Sequence, residues 1–400
     1  MSTSGYDLLT IGGGFGGAAL ALVMAKAGAR VLVLEREQKF RDRVRGEFLP
    51  PWGVAEAQQL AISDLLRQCG HNVASVEMGL GRPRNLLSTT AQGMPAIGFN
   101  HPEMQELLLQ AAVNAGADVR RGALVTAVER GETTRVQVQE PDRSLETHSA
   151  RLVVGADGRN SAVRKWARFT VTRDPHPFLF AGVLLTGLGA PHDVAYYCFN
   201  PAVAMAAASV YQGADRFRAY LAYPSDGVDR LQGEQSLHRF LDYSRQTTAF
   251  PNVYDGPLRL IGPLASFSCD EDWVDYPYQD GVVLIGDAAA TTDPAYGQGL
   301  SLTLRDVRTL SEKLLSDSQC DVAGNEYASE HRNYFSVIHT SCGWLRQMFQ
   351  EQGPEADLRR ATALPLIAAD PTRIPDHIMS GPELSIDDSV RSRFFGEAAS

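Results

Sequence analysis

Apolar residues fall into two textures along the chain, short unbroken runs and longer stretches at helical spacing. Residues 6–11 form a short apolar run that ends in glycine, the pattern of a buried parallel strand. Residues 15–27 are rich in Ala and Leu and contain no proline, which predicts a helix packed closely on a sheet. Gly28 ends it, and residues 30–34 predict a second strand, completing a βαβ opening. Pro50-Pro51 starts a further helix to about residue 68, residues 71–99 read as irregular, and residues 101–115 return to helical spacing. Strands follow at 123–129, 134–139 and 150–155, the middle one marked by the alternation of Val136 and Val138.

From Phe178 the pattern changes to consecutive antiparallel strands at 178–188, 194–199, 203–211 and 217–223, joined by short polar turns. A helix at 234–245 and a strand at 258–267 complete this stretch. Residues 281–285 then repeat the buried-strand texture of the N-terminus and lead into a glycine-flanked helix at 299–315. Residues 326–366 read as mostly helical, and 370–400, with Pro371, Pro375 and Pro382, as irregular. The pattern predicts an α/β fold in which a second domain is inserted into the first. The first comprises residues 1–70, 100–175 and 280–325, the insert 71–99 and 176–279, and a helical C-terminal region 326–400.

Composition narrows the function. The 400 residues are 44% hydrophobic and 21% charged, an ordinary globular balance. A formal charge of -10 argues against nucleic acid as the main partner, because phosphate binding needs a basic face. No apolar run reaches membrane-spanning length, Lys26 interrupts the best N-terminal candidate, and no Lys or Arg precedes it as a signal peptide would require. The five cysteines are scattered and form no CxxC pair, so unpaired core thiols and a cytoplasmic location are expected. No HExxH and no Cys/His cluster stands at zinc spacing, so no metal is expected.

The chemistry-bearing signal begins at Gly12-Gly13-Gly14-Phe15-Gly16-Gly17, a GxGxxG that follows a strand and opens a helix. Gly12 permits the tight turn, Gly14 the approach of backbone to a diphosphate, and Gly17 close packing of helix on strand. The helix N-terminus supplies free N–H groups for that diphosphate. Glu35, at the end of the second strand, stands where an acid accepting ribose hydroxyl bonds is expected. The motif alone does not separate NAD from FAD.

Two later segments do so by resemblance. Val153-Val154-Gly155-Ala156-Asp157-Gly158-Arg159-Asn160-Ser161-Ala162-Val163-Arg164 resembles the Asp-Gly fingerprint of flavoprotein monooxygenases. Gly286-Asp287-Ala288-Ala289, with Asp293-Pro294 and Gly297-Gln298-Gly299, resembles their second FAD fingerprint. In order and spacing the chain is similar to the single-component FAD-dependent aromatic hydroxylases of the para-hydroxybenzoate hydroxylase type, over about residues 5–310. The resemblance implies a Rossmann-like FAD-binding domain of the GR2 type with an inserted antiparallel-sheet substrate domain. It also implies FAD as cofactor and NADPH or NADH as transient reductant. One oxygen atom of O2 would pass from a flavin C4a-hydroperoxide to an aromatic or unsaturated small molecule.

The same resemblance assigns roles. Asp287 would accept the ribityl hydroxyls. Gly286, Gly297, Gly299 and Leu300 would line the flavin, with main-chain N–H groups aimed at its N1/C2 carbonyl edge. Pro294 and Gln298 would flank its reactive side, and Asp157, Gly158 and Arg164 would serve FAD and the visiting NAD(P)H, unless Arg164 simply pairs with Asp157. Phe15, Gly16 and Val125 would also contact FAD. Arg45 stands where relatives carry an arginine near the flavin, with Arg36, Arg41 and Arg43 before it as cofactor contacts or as a solvated basic turn. Three departures stand out: Ala290 where many relatives have His, Ser301 where many have Asn, and His101 where an arginine commonly approaches the cofactor.

The inserted sheet offers Tyr196, Cys198, Met205, Tyr211, Arg218 and Tyr220 as substrate candidates, with Arg218 either an anchor for an acidic group or an exposed residue of an amphipathic sheet. No nucleophile triad has usable spacing. A halogenase is disfavoured because lysines stand only at 26, 39, 165 and 313 and no WxWxIP occurs. A prenyl-type alkene reductase, which also carries an Asp-Pro, is the better alternative, and a non-catalytic FAD scaffold a third. A monomer or homodimer is expected, with a small molecule and O2 as partners and neither nucleic acid nor membrane.

Overall fold

The opening unit forms as its composition requires. Strands β1 (Tyr6–Ile11) and β2 (Val31–Glu35) pair in parallel, and helix α1 (Phe15–Lys26) crosses between them. Ala18, Ala19 and Ala21 are fully buried, so small side chains let the helix lie close on the sheet. Helix α2 (His101–Asn114) packs beside α1, and β3 (Asp118–Arg121) extends the sheet beyond β2. Strand β4 (Leu145–Gly155) pairs in parallel with β1 through its C-terminal half, while its N-terminal half folds antiparallel against Thr134–Gln139. The computed structural model describes residues 5–79, 82–131, 133–225, 229–317 and 319–397.

The chain then leaves this sheet. After β5 (Thr172–Asp174) come β6 (Phe178–Thr186), β7 (Val194–Asn200), β8 (Met205–Tyr211) and β9 (Phe217–Pro224), an antiparallel sheet in the order β6-β9-β8-β7. Helix α3 (Leu237–Thr247) covers one face through Phe240. Strand β10 (Ala265–Ser268) joins the free edge of β6, and β11 (Glu271–Trp273) pairs with β5. The chain returns at β12 (Val282–Leu284), which slots beside β4 in parallel. Helices α4 (Gly299–Ser316), α5 (Cys320–Phe349) and α6 (Pro354–Ala369) follow.

Four stretches differ from their sequence pattern. Residues 71–99 are not irregular: Gly70–Val73 and Ala96–Phe99 form a small sheet with Phe48–Leu49, and Ser75–Glu77 adds in parallel to β7. Short strands of two to four residues offer too little alternation to be read. The strand expected at 258–267 is broken in two, because Gly262 and Pro263 interrupt the ladder between Arg259–Leu260 and β10. The helix expected at 326–366 starts earlier, at Cys320, and breaks at Gly353, whose φ is 106°. Finally, 370–400 contains two short helices, His377–Ser380 and Asp388–Phe395, whose Ile378, Met379, Phe394 and Phe395 are buried against α5 and α6. All five cysteines are free, four of them buried. Among the described residues, no helix is long and apolar enough to cross a membrane.

The C-terminal helices therefore share one core with the inserted sheet. Ile338 of α5 is fully buried in a cluster with Trp52, Phe48, Tyr296 and Phe394. Ile338→Ala is expected to cost about 2–5 kcal/mol and to lower the thermal unfolding midpoint in differential scanning calorimetry.

Candidate active site

A cleft of about 400 Å³ opens where the C-terminal ends of β1, β2 and β4 meet the inserted sheet. Its floor follows from local backbone demands. Gly12 has φ of 104°, and a Cβ on Gly17 would overlap the Gly12 carbonyl oxygen, so neither position admits a side chain. Helix α1 starts at Gly14 without a side-chain cap, and α4 starts at Gln298 likewise, so both helix N-termini present open N–H groups and partial positive charge to the cleft. Glu35 reaches the cleft from the end of β2, its Oε2 accepting the Gly13 N–H at 2.8 Å and its Oε1 that of Glu37 at 2.8 Å.

The two later motifs converge on the same space. Asp157 Oδ2 accepts the N–H groups of Ala162 (2.7 Å) and Val163 (3.2 Å), while its Oδ1 is buried with no partner. Asp287 also lines the cleft, and its carboxylate makes no hydrogen bond among the described residues. The Gly286–Asp287 turn is tied down from behind. Gly286 N–H donates to Asp306 Oδ2 at 2.7 Å, and the other oxygen of Asp306 takes bonds from Tyr334 (2.5 Å) and His331 (2.9 Å) of α5. Two unsatisfied carboxylates, two uncapped helix ends and a side-chain-free turn fit a dinucleotide with ribityl hydroxyls and a diphosphate.

Of the cofactor candidates, Gly12, Gly14, Phe15, Gly16, Glu35, Arg36, Arg45, His101, Val125, Asp157, Gly158, Gly286, Asp287, Pro294, Gly297, Gln298, Gly299 and Leu300 all line this cleft. Gly17 lies directly behind it. Arg164 does not reach it and does not pair with Asp157. Its guanidinium is buried and bonds the carbonyls of Ala288 (2.6 Å) and Asp287 (2.5 Å), clamping one motif to the other. Gln298 contributes main chain, because its amide turns inward: Oε1 accepts from Trp52 Nε1 at 3.1 Å, and Nε2 donates to the carbonyls of Tyr296 (2.6 Å) and Ile378 (3.2 Å).

At the cleft mouth, Arg36, Arg41, Arg43, Arg45 and Arg159 set a locally basic rim in an acidic chain. Arg43 is partly used by Glu37, at 2.6 Å. His101 places Nδ1 2.9 Å from the Gly46 carbonyl, a contact that only the Nδ1–H tautomer satisfies. Burial drives its imidazole down to about 4, so the residue standing in place of an arginine is uncharged at neutral pH.

The substrate candidates are corrected by the register of the inserted sheet. Tyr196, Cys198, Met205 and Tyr211 point to the α3 side: Tyr196 packs on Phe250, Cys198 lies 3.6 Å from Thr248 and Tyr211 stacks on His192. The opposite face carries Tyr197, Phe199, Phe180, Tyr220 and, from β10, Phe267. Phe180, Phe267 and Phe48 line the cleft beside Thr291, Thr292 and Pro294. Tyr197 packs on Phe48, and its hydroxyl lies 3.4 Å from where a Cβ on Gly297 would stand. Sequence reading missed Tyr197 by one position, since two adjacent tyrosines leave the phase of the alternation open. Tyr220 faces the right way, yet its hydroxyl donates to the Arg45 carbonyl at 2.7 Å.

Arg218 is neither an anchor nor exposed. Its side chain is fully buried and bonds Glu47 through Nε and Nη2, with Asp42 at 2.8 Å from Nη2. Burial lowers the pKa of the guanidinium, but the charge and hydrogen bonds of the adjoining Glu47 carboxylate, with Asp42, outweigh it and raise the value above the ordinary one. Glu47 also accepts from Gln212 and from the His101 N–H (3.1 Å), so the pair bonds the inserted sheet to the start of α2.

Fold and cleft together define a flavoprotein of the Rossmann type with an inserted substrate sheet. The chain belongs to the FAD binding domain family, whose profile matches residues 5–319, and FAD is the cofactor of this fold. It is 30% identical over 326 residues to 12-dehydrotetracycline 5-monooxygenase/anhydrotetracycline 6-monooxygenase of Streptomyces rimosus, covering 77% of this chain and 62% of that protein. It is 28% identical over 335 residues to 6-methylpretetramide 4-monooxygenase of the same species, covering 75% and 73%. The chain thus spans about two thirds of the length of these relatives. In fold it is similar to the crystal structure of p-nitrophenol 4-monooxygenase from Pseudomonas putida, with a TM-score of 0.77 at 18% identity, covering 94% of this chain and 97% of that one.

The burial of Arg218 yields a prediction that separates structure from binding. Arg218→Ala leaves Glu47 buried and unpaired and is expected to destabilise the protein by about 3–5 kcal/mol. The double variant Arg218→Met/Glu47→Gln recovers most of that loss in denaturant unfolding.

Proposed function

We propose that the protein is a FAD-dependent monooxygenase that uses NADPH or NADH and O2 to insert one oxygen atom into an aromatic or otherwise unsaturated small molecule. The observation that carries this reading is the aromatic wall of Phe48, Phe180 and Phe267 facing the Pro294 turn and the α4 N-terminus across one cleft. FAD, when bound, supplies the redox and oxygen chemistry. The residues of this chain position, neutralise and dry the site.

Gly12, Gly14, Gly16, Gly17 and the α1 N-terminus receive the diphosphate, with Arg36 and Arg45 adding positive charge from the rim. Glu35 accepts adenosine ribose hydroxyls, and Asp287 and the free oxygen of Asp157 accept from the remaining hydroxyls of the cofactor. Phe15, His101, Val125, Gly158, Gly286 and Leu300 complete the walls, and Arg164 positions Asp287 without touching the cofactor. The main-chain N–H groups of Gln298 and Gly299 and the α4 dipole favour negative charge at the flavin edge, which lowers the cost of reducing it, while the Gly297 N–H is held by the Pro294 carbonyl at 3.2 Å. Phe48, Phe180, Phe267 and Tyr197 hold a flat apolar substrate over Pro294 and exclude water. The Tyr197 hydroxyl, with no hydrogen-bond partner among the described residues, would bond an oxygen substituent of that substrate.

The relatives named for oxidation of tetracycline intermediates support a fused-ring phenolic substrate for this chain too. The free cysteines support a reducing, cytoplasmic setting, and the enzyme acts as a monomer or homodimer.

Incubation of FAD-loaded protein with NADPH or NADH, ¹⁸O-labelled O2 and a panel of fused-ring phenols is expected to give a product carrying one labelled oxygen by mass spectrometry. Reductant oxidised with no O2 consumed and a saturated product would move the reading to an alkene reductase.

A further inference from the structure

On the side of the Pro294 turn away from the cleft lies a cluster of charged groups that the proposed reaction does not use. Asp293, immediately before Pro294, and Glu271 of β11 each have side chains only 1% exposed, and His176, between β5 and β6, only 2%. The turn hangs on these carboxylates. Glu271 Oε1 accepts the Asp293 N–H at 2.6 Å, and Asp293 Oδ1 accepts the Ala295 N–H at 2.9 Å. Asp293 Oδ2 is buried with no hydrogen-bond partner and faces His176 Nδ1 at 3.7 Å. Thr291, Thr292 and Pro294, on either side of Asp293, line the cleft.

His176 meets charges from every element around it. Asp174 lies 3.1 Å from Nε2 and Glu271 3.8 Å, and the His176 main-chain N–H donates to Asp270 at 2.8 Å. From α5, Arg346 contacts the imidazole and reaches Asp174 at 3.2 Å, while His339 lies 3.0 Å from Glu271. Arg159 bonds the Asp270 carbonyl. The thiols of Cys269 and Cys342 close the cluster and stay neutral, since burial pushes both well up. Asp174, His176 and Glu271 have the spacing of a metal site, but the Arg346 guanidinium stands among them, where a divalent cation would.

The Arg346 guanidinium reaches Asp174 and Glu271, whereas the cationic group facing the free oxygen of Asp293 is His176. We propose that His176 is a positioning residue whose positive charge pins the Asp293–Pro294 turn at the edge of the cleft and so sets how the flavin is seated, an inference that rests on the placement of FAD given above. Burial alone would lower the pKa of His176, but the carboxylates of Asp293 and Asp174 outweigh both burial and Arg346 and raise it. The stabilisation of the turn is therefore complete below the ordinary histidine value of about 6.5 and is lost as pH rises through the raised one.

The test follows the visible absorption and fluorescence of bound FAD from about pH 5 to 9, the window in which histidine titrates, in the wild type, His176→Gln and Asp174→Asn. The wild type is expected to show one transition above the ordinary histidine range. His176→Gln abolishes it, and Asp174→Asn moves it down by about one unit, a tenfold change in proton affinity. A wild-type flavin spectrum that does not change with pH, or a transition that survives His176→Gln unaltered, overturns the proposal. Should His176→Gln fail to fold, the partly exposed Asp174 position decides, and an unmoved midpoint there overturns it equally. Wild-type protein that retains no FAD overturns the placement of the cofactor itself, an outcome separate from a bound flavin indifferent to pH.

Discussion

The buried pair between Arg218 and Glu47 decides where the two halves of the cleft stand. Arg218 rises from the inserted sheet, Glu47 from the loop after β2, and neither side chain is exposed to solvent. A lone charge at that depth is costly, so each group requires the other in place. Asp42, Gln212 and the His101 N–H complete the bonds, which ties the basic rim, the sheet and the start of α2 to one point. The aromatic wall can face the Pro294 turn at a fixed spacing because this contact does not slide.

Around that fixed point, the site is built largely from main chain. Two helix N-termini without side-chain caps point into one space, and the side chains nearest them are turned elsewhere. Arg164 spends its guanidinium on two carbonyls, Gln298 its amide on Trp52 and two carbonyls, and Asp306 its carboxylate on a glycine N–H. These residues act on the cleft only through backbone they hold. The pattern suits a cofactor that carries its own reactivity and needs from the protein position and local charge.

The cofactor half was legible in the sequence because its constraints are local. Gly12 and Gly17 report a turn that tolerates no side chain, and Glu35 reports its position by counting from them. The substrate half was not. A strand shows its alternation but not which phase faces the cleft, and in Tyr196-Tyr197 the two phases are equally aromatic. The charge on Arg218 gave no hint of its burial, since its partners stand 171 and 176 positions away. Irregular composition at 370–400 likewise hid a segment that packs its apolar residues into the core, because short helices carry too few turns for a period to emerge.

The inward amide of Gln298 has a consequence for synthesis of the chain. Its acceptor at Ile378 lies 80 residues downstream, beyond the region that the family profile matches. A nascent chain that has emerged past the last glycine motif already contains all three glycine-rich motifs, yet Gln298 has only Trp52 and Tyr296 of its three partners. Domains fold in order of emergence from the ribosome, so the Gln298 amide waits for a partner made 80 positions later. A ribosome stalled within α5 would carry a chain in which the Gln298 amide still lacks its Ile378 acceptor.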